Sequence, residues 1–162
     1  MEKEKSSLDK FKEKYKKLAS KYSLPDFKYI NENFEVENIV LEDTDLILKK
    51  IRKQIMEKVF WHLRTLETFI NPQSAPLFIF NIIKGFNEED KKSVGKLYKV
   101  FAKFEVEAYS LEIDYNEEKE AELINHICKK WKDINEDLRG LYDSMKKSYD
   151  QEAKKQDKSY FG

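Results

Sequence analysis

The chain has 162 residues, with 31 Lys+Arg against 31 Asp+Glu, and 38% of its residues are charged. That length fits one domain, or one domain with an arm, and 11 Phe, 9 Tyr and 2 Trp are enough aromatic volume for a core, which argues against wholesale disorder. A single Cys excludes an internal disulfide framework and a multi-cysteine zinc site, and zero net charge argues against a uniform polycation for nucleic acid.

Residues 1–21 are charged throughout and contain no apolar signal region. No window approaches the ~20 apolar residues of a membrane-spanning helix. With one thiol and no targeting segment, the expected compartment is the reducing cytoplasm. The basic residues are 28 Lys and only 3 Arg. That scarcity counts against sequence-specific reading of nucleic acid, because Arg supplies the bidentate fork that reads base edges.

Leu8, Phe11, Tyr15, Leu18 and Tyr22 step by 3, 4, 3 and 4, which predicts a basic amphipathic helix over 6–22. Pro25 ends it, because the residue before a proline avoids helical conformation. Residues 23–43 read as an acidic connector laid on the helical body, with Phe34, Val36 and Ile39 inserted between helices. From Thr44, a plausible cap, a second helix carries Leu48, Ile51, Ile55, Val59, Leu63, Leu66 and Ile70 on one stripe. Met56, Phe60 and Phe69 widen that stripe, so the helix faces more than one neighbour.

Asn71-Pro72 closes this helix, and a short apolar one follows over 75–84. Ser74 is the expected cap, Pro76 falls in the first turn, and Gly85 is expected to stop the helix in the left-handed conformation. Apolar residues all round it predict a buried plug at one end of a bundle.

Asn87-Glu88-Glu89-Asp90 is the strongest local signal, a capping side chain followed by three acids where the helix dipole favours them. Val94, Leu97, Phe101, Phe104, Ala108, Leu111 and Tyr115 then form a heptad-like, coiled-coil seam. Residues 104–115 also alternate apolar and acidic, so a strand is the competing reading there. Asn116 starts a fifth helix over 117–149 with Ile124, Ile127, Trp131, Ile134, Leu138, Leu141 and Met145. The tail, 151–162, loses the periodicity and is expected to be frayed or disordered.

The fold class expected is all-α: a single helical bundle of about five helices over 44–150, built on a long antiparallel hairpin, with the basic helix 1–22 joined by the connector 23–43.

Chemistry-bearing residues are sparse. Glu122 and His126 share a helix face at a spacing that can grip a metal, but no second pair completes a site. His62 borders an apolar stripe, where a hydrogen-bonded structural histidine is the common case. Cys128 flanks another stripe as a small apolar residue. Glu105, Glu112 and Glu122 lie near seams, yet no Glu-x-x-His accompanies them. Four scattered Gly exclude a phosphate-cradling loop.

No catalytic set, cofactor or metal is therefore expected. The leading expectation is a non-enzymatic helical adaptor or scaffold that binds another protein or itself. A nucleic-acid accessory factor is the first alternative and a carboxylate/His metal enzyme the second. The candidate interaction residues are Lys10, Lys14, Lys17 and Lys21 on the basic helix, and Leu77, Phe78, Phe80 and Phe86 on the apolar one.

Zero net charge is a cancellation between blocks. Residues 1–22 hold eight basic against four acidic residues, 23–47 one against seven, and 104–126 one against eight. Such blocks suit pairing within the molecule or docking on a protein.

Overall fold

The computed structural model describes residues 6–39 and 45–160, and of Ser74 and residues 156–160 the backbone alone. Among these residues it has six α-helices and no strand: α1 (Ser7–Tyr22), α2 (Phe27–Phe34), α3 (Ile47–Ile70), α4 (Leu77–Lys84), α5 (Glu88–Ile113) and α6 (Glu117–Tyr160). The fold is an all-α bundle, and the competing strand over 104–115 is instead helix up to Ile113.

Side chains at the helix starts explain where the helices begin. The Asp90 N–H donates to Asn87 Oδ1 at 2.8 Å, while the Asn87 N–H donates to Asp90 Oδ2 at 3.0 Å. This reciprocal box satisfies two amides that the helix leaves unbonded. The Lys119 N–H donates to Asn116 Oδ1 at 3.0 Å at the start of α6. Asp26 caps α2 by accepting from the Tyr29 N–H at 2.7 Å. Thr44, the expected cap of α3, lies outside the described residues.

Three local expectations are corrected. Part of the segment read as a connector is helical, as α2 and a 3-10 turn at Val36–Ile39. Phe34 and Val36 are buried as expected, whereas Ile39 is half-buried. A helix of eight residues is too short to display the repeated spacing that reveals longer ones. Helix α6 runs on to Tyr160, past the expected end at about 149. The extension has good helix formers, no Gly or Pro, and a Lys155–Glu152 pair at 2.8 Å, so apolar periodicity is not what sustains it. Gly85 is right-handed, at φ −83°. Its lack of a side chain serves a close approach instead: a Cβ at this position would lie 2.6 Å from Ser148 Oγ and 2.9 Å from Ser148 Cβ.

The chain divides into two compact units, one comprising Met1–Phe60 with Phe104–Trp131, the other Trp61–Lys103 with Lys132–Gly162. In the first unit, Phe34 and Trp131 pack with ring centroids 4.7 Å apart. Ile30, Leu48, Ile51, Ile55, Phe104, Ile124 and Ile127 complete the buried interior. The basic helix α1 belongs to this unit. Phe27 of α2 receives edge contacts from Phe11 and Tyr15, with centroids 5.9 and 5.8 Å away. The Tyr15 hydroxyl donates to the Pro25 carbonyl at 2.6 Å.

In the second unit, Leu63, Leu66, Phe69, Val94, Leu97, Phe101, Ile134, Leu138 and Leu141 are buried together with Ile82 and Phe86. Helix α4 is thus held by one side only, and it is not the buried plug that its composition suggests. Phe86, just beyond α4, meets Phe69 edge-on at 5.6 Å.

Candidate functional site

The basic helix presents Lys10, Lys14 and Lys17 on its exposed side, as its periodicity predicts. Lys21 differs. Its ammonium donates to Glu117 Oε1 at 3.0 Å and lies 4.6 Å from the centre of the Tyr22 ring. The Tyr22 hydroxyl donates to the same Glu117 oxygen at 2.7 Å, and the Asn125 side chain donates to the Tyr22 carbonyl at 3.0 Å. Lys21 therefore anchors α1 to α6. Hydrogen bonds from Tyr22 and then Lys21 hold the Glu117 carboxyl below its ordinary range.

On α4 the structure separates the four apolar candidates. Leu77 is 75% exposed, Phe78 56% and Phe80 37%, while Phe86 is 6% exposed and belongs to the core. Phe86 sits across from Phe69 because the chain turns inward after Lys84. Lys84 lays its ammonium 4.5 Å from the Phe80 ring centre, which covers part of that face with a cation.

The polar residues that could carry chemistry are engaged separately. His62 Nδ1 lies 2.7 Å from the Tyr142 hydroxyl, and its ring stacks on Phe101 at 5.7 Å. Burial raises the Tyr142 phenol to about 12. His126 Nδ1 lies 3.0 Å from Glu107 Oε2 and meets the Phe104 ring edge-on at 5.2 Å. Glu105 accepts from the Tyr109 hydroxyl at 2.6 Å, and Glu112 accepts from Arg52. Cys128 is buried, and burial raises its thiol to about 12, far from a reactive thiolate. Among the described residues no group of three or more His, Cys, Asp or Glu is placed to hold a metal ion. Glu122, Glu107 and His126 do line one open groove of about 440 Å³, with Leu111 and Leu123 as its apolar floor.

Two features escape the sequence reading. Arg52, 2% exposed, and Glu120, 0% exposed, form a buried bidentate pair between α3 and α6. Arg52 adjoins the apolar stripe one position after Ile51, a signal that could have marked it as inward-facing. The second feature is a ridge on α5: Val106, Tyr109 and Ile113 are 66%, 57% and 81% exposed. Their steps of 3 and 4 put them on one helix face, offset from the buried Phe104, Ala108 and Leu111. The apparent alternation over 104–115 is these two stripes interleaved on one helix.

No family model matches the chain, and neither does any curated protein or solved structure. No helix among the described residues is long and apolar enough to cross a membrane.

Proposed function

We propose that this chain is a non-enzymatic helical interaction protein, an adaptor or scaffold that works by protein–protein contact. The observation that carries the reading is the set of large apolar side chains standing in solvent on α4: Leu77, Phe78 and Phe80. Their neighbours Ile82 and Phe86 are buried, so the helix is anchored and its outer face is held in place. Burying such a face removes apolar area from water at roughly 25 cal/mol per Å², and a fixed face loses little entropy on docking. The polar residues support the same reading, because His62, His126, Glu105 and Glu112 are each bonded within the fold and the Cys128 thiol is buried. A cytoplasmic location accords with it.

The test is co-purification from the native cell, with and without nuclease, for the wild type and for Leu77→Ser/Phe78→Ser. A partner protein that survives nuclease and is lost in the double variant is the expected result. Partners retained equally by both proteins would count against α4 as the docking face.

The exposed lysines of α1 favour a second reading, a nucleic-acid accessory factor. Binding through Lys10, Lys14 and Lys17 would release counterions and weaken steeply with salt. A partner that disappears with nuclease treatment would move the assignment to this class.

A further inference from the structure

We propose that the α5 ridge of Val106, Tyr109 and Ile113 docks a basic amphipathic helix of a partner protein, an inference that rests on reading the chain as an interaction protein and names a partner class for a second surface.

The ridge has the form of a helix-packing surface. Steps of 3 and 4 line its three side chains along one face, and ridges so spaced pack into the grooves of a neighbouring helix. Beside it lies the open groove of about 440 Å³ floored by Leu111 and Leu123, with Ser110 on its lining next to Tyr109 in sequence. A helix lying on the ridge has this groove for one row of its own side chains.

Charge selects the partner. From Phe104 through Glu118 the sequence contains Glu105, Glu107, Glu112, Asp114, Glu117 and Glu118 and no Lys or Arg. Glu112 is engaged by Arg52, Lys49 and Lys53, Glu107 by His126 and Glu117 by Lys21, while Glu105 accepts from the ridge's own Tyr109 hydroxyl and keeps its charge at the ridge. Glu105 and Asp114 flank the ridge at its two ends, each adjacent in sequence to a ridge residue. Glu122 adds a carboxylate to the groove, against the ammonium of Lys119. An apolar strip bordered by carboxylates repels the phosphates of a membrane surface or a nucleic acid. It attracts an apolar helix whose borders are Lys or Arg.

The test uses the full chain and two synthetic helical peptides of about 20 residues, long enough to hold helix. They share one Leu/Ile ridge and differ only in flanking Lys or flanking Glu. Fluorescence anisotropy is expected to show binding of the Lys-flanked peptide and binding of the Glu-flanked one about tenfold weaker or less. Val106→Ser/Ile113→Ser should weaken the Lys-flanked peptide by about tenfold or more, the scale of losing an interface anchor. Glu105→Lys/Asp114→Lys should reverse the peptide preference, and it carries the test alone if the serine variant loses its helical circular dichroism.

Equal binding of the two peptides, or no binding of the Lys-flanked one, overturns the proposal. So does self-association, or binding to anionic phosphatidylserine vesicles, that the serine variant abolishes, since a second copy or a membrane would then own the ridge. If both peptides fail while Leu77→Ser/Phe78→Ser still loses a cellular partner, the ridge proposal falls and the interaction reading stands.

Discussion

Arg52 and Glu120 meet in the buried interior as a bidentate pair, Nε to Oε2 at 2.8 Å and Nη2 to Oε1 at 3.2 Å. Burial works against the guanidinium's charge, and the hydrogen bonds from Arg52 to Glu120 and Glu112 outweigh it, so the Arg52 pKa is raised. Removing Arg52 strands Glu120 without its counter-charge, which typically costs about 3–5 kcal/mol, whereas removing the Glu120 charge leaves Arg52 its bond to Glu112. Arg52→Met is expected to lower the urea midpoint strongly, and Glu120→Gln to lower it less. The double substitution Arg52→Met/Glu120→Leu should recover most of the loss, because an apolar pair needs no compensating charge. A double variant no more stable than Arg52→Met would show that the pair itself is indispensable.

The anchor of α1 should loosen in acid. Glu117 accepts from Tyr22 and Lys21, and its folded pKa lies below the ordinary 4.5. A carboxylate with a depressed folded pKa contributes fully above its unfolded value and loses that contribution as pH falls through the folded one. Amide protection in α1, corrected for intrinsic exchange, is therefore expected to hold above pH 4.5 and to decline below it. Glu117→Gln should reduce that protection already at neutral pH and flatten its acid dependence. Unchanged protection in this variant would mean that the packing around Phe27 and the Asn125–Tyr22 hydrogen bond hold α1 without Glu117.

Gly85 should resist replacement by even one methyl group. The Cβ of Gly85→Ala would sit 2.6 Å from the Ser148 Oγ and 2.9 Å from its Cβ, and Ser148 is itself 6% exposed. Overpacking of this kind costs about 1–3 kcal/mol, read as a lowered urea midpoint. Adding Ser148→Ala removes the oxygen and leaves the Cβ contact, so partial recovery is expected.

Cys128 should be silent in the native protein. The residue is 6% exposed and burial raises its thiol to about 12, so the thiolate that attacks a thiol reagent is scarce at mildly alkaline pH. Labelling is expected to follow the fraction unfolded across a urea titration. Rapid labelling without urea would contradict the burial.

Helix positions were legible where apolar spacing repeats over several turns, as from Leu48 to Ile70, or where a side-chain cap precedes acids, as at Asn87 and Asn116. α2 was not legible, because two turns bury only Ile30 and Phe34 and offer no repeat to count. Spacing says which face is apolar and leaves open what covers it. Phe80 and Phe86 look alike in the sequence, yet one faces solvent and the other Phe69. The ridge on α5 was hidden for a related reason: two helical stripes interleaved with acids imitate the alternation of a strand. The Arg52–Glu120 pair joins residues 68 positions apart, and no local pattern reports a partner at that distance.

The two tryptophans fall one in each compact unit. Trp131, in the first, is 0% exposed, and Trp61, in the second, is 61% exposed. Indole emission shifts with hydration, so the chain carries two optical reporters of opposite starting state. Trp61→Phe leaves a blue-emitting signal that reports the melting of the first unit. Trp131→Phe leaves a red-emitting one that an aqueous quencher reaches in the native state. Coincident or separate transitions by these two colours would reveal whether the units open together, with no label added to either.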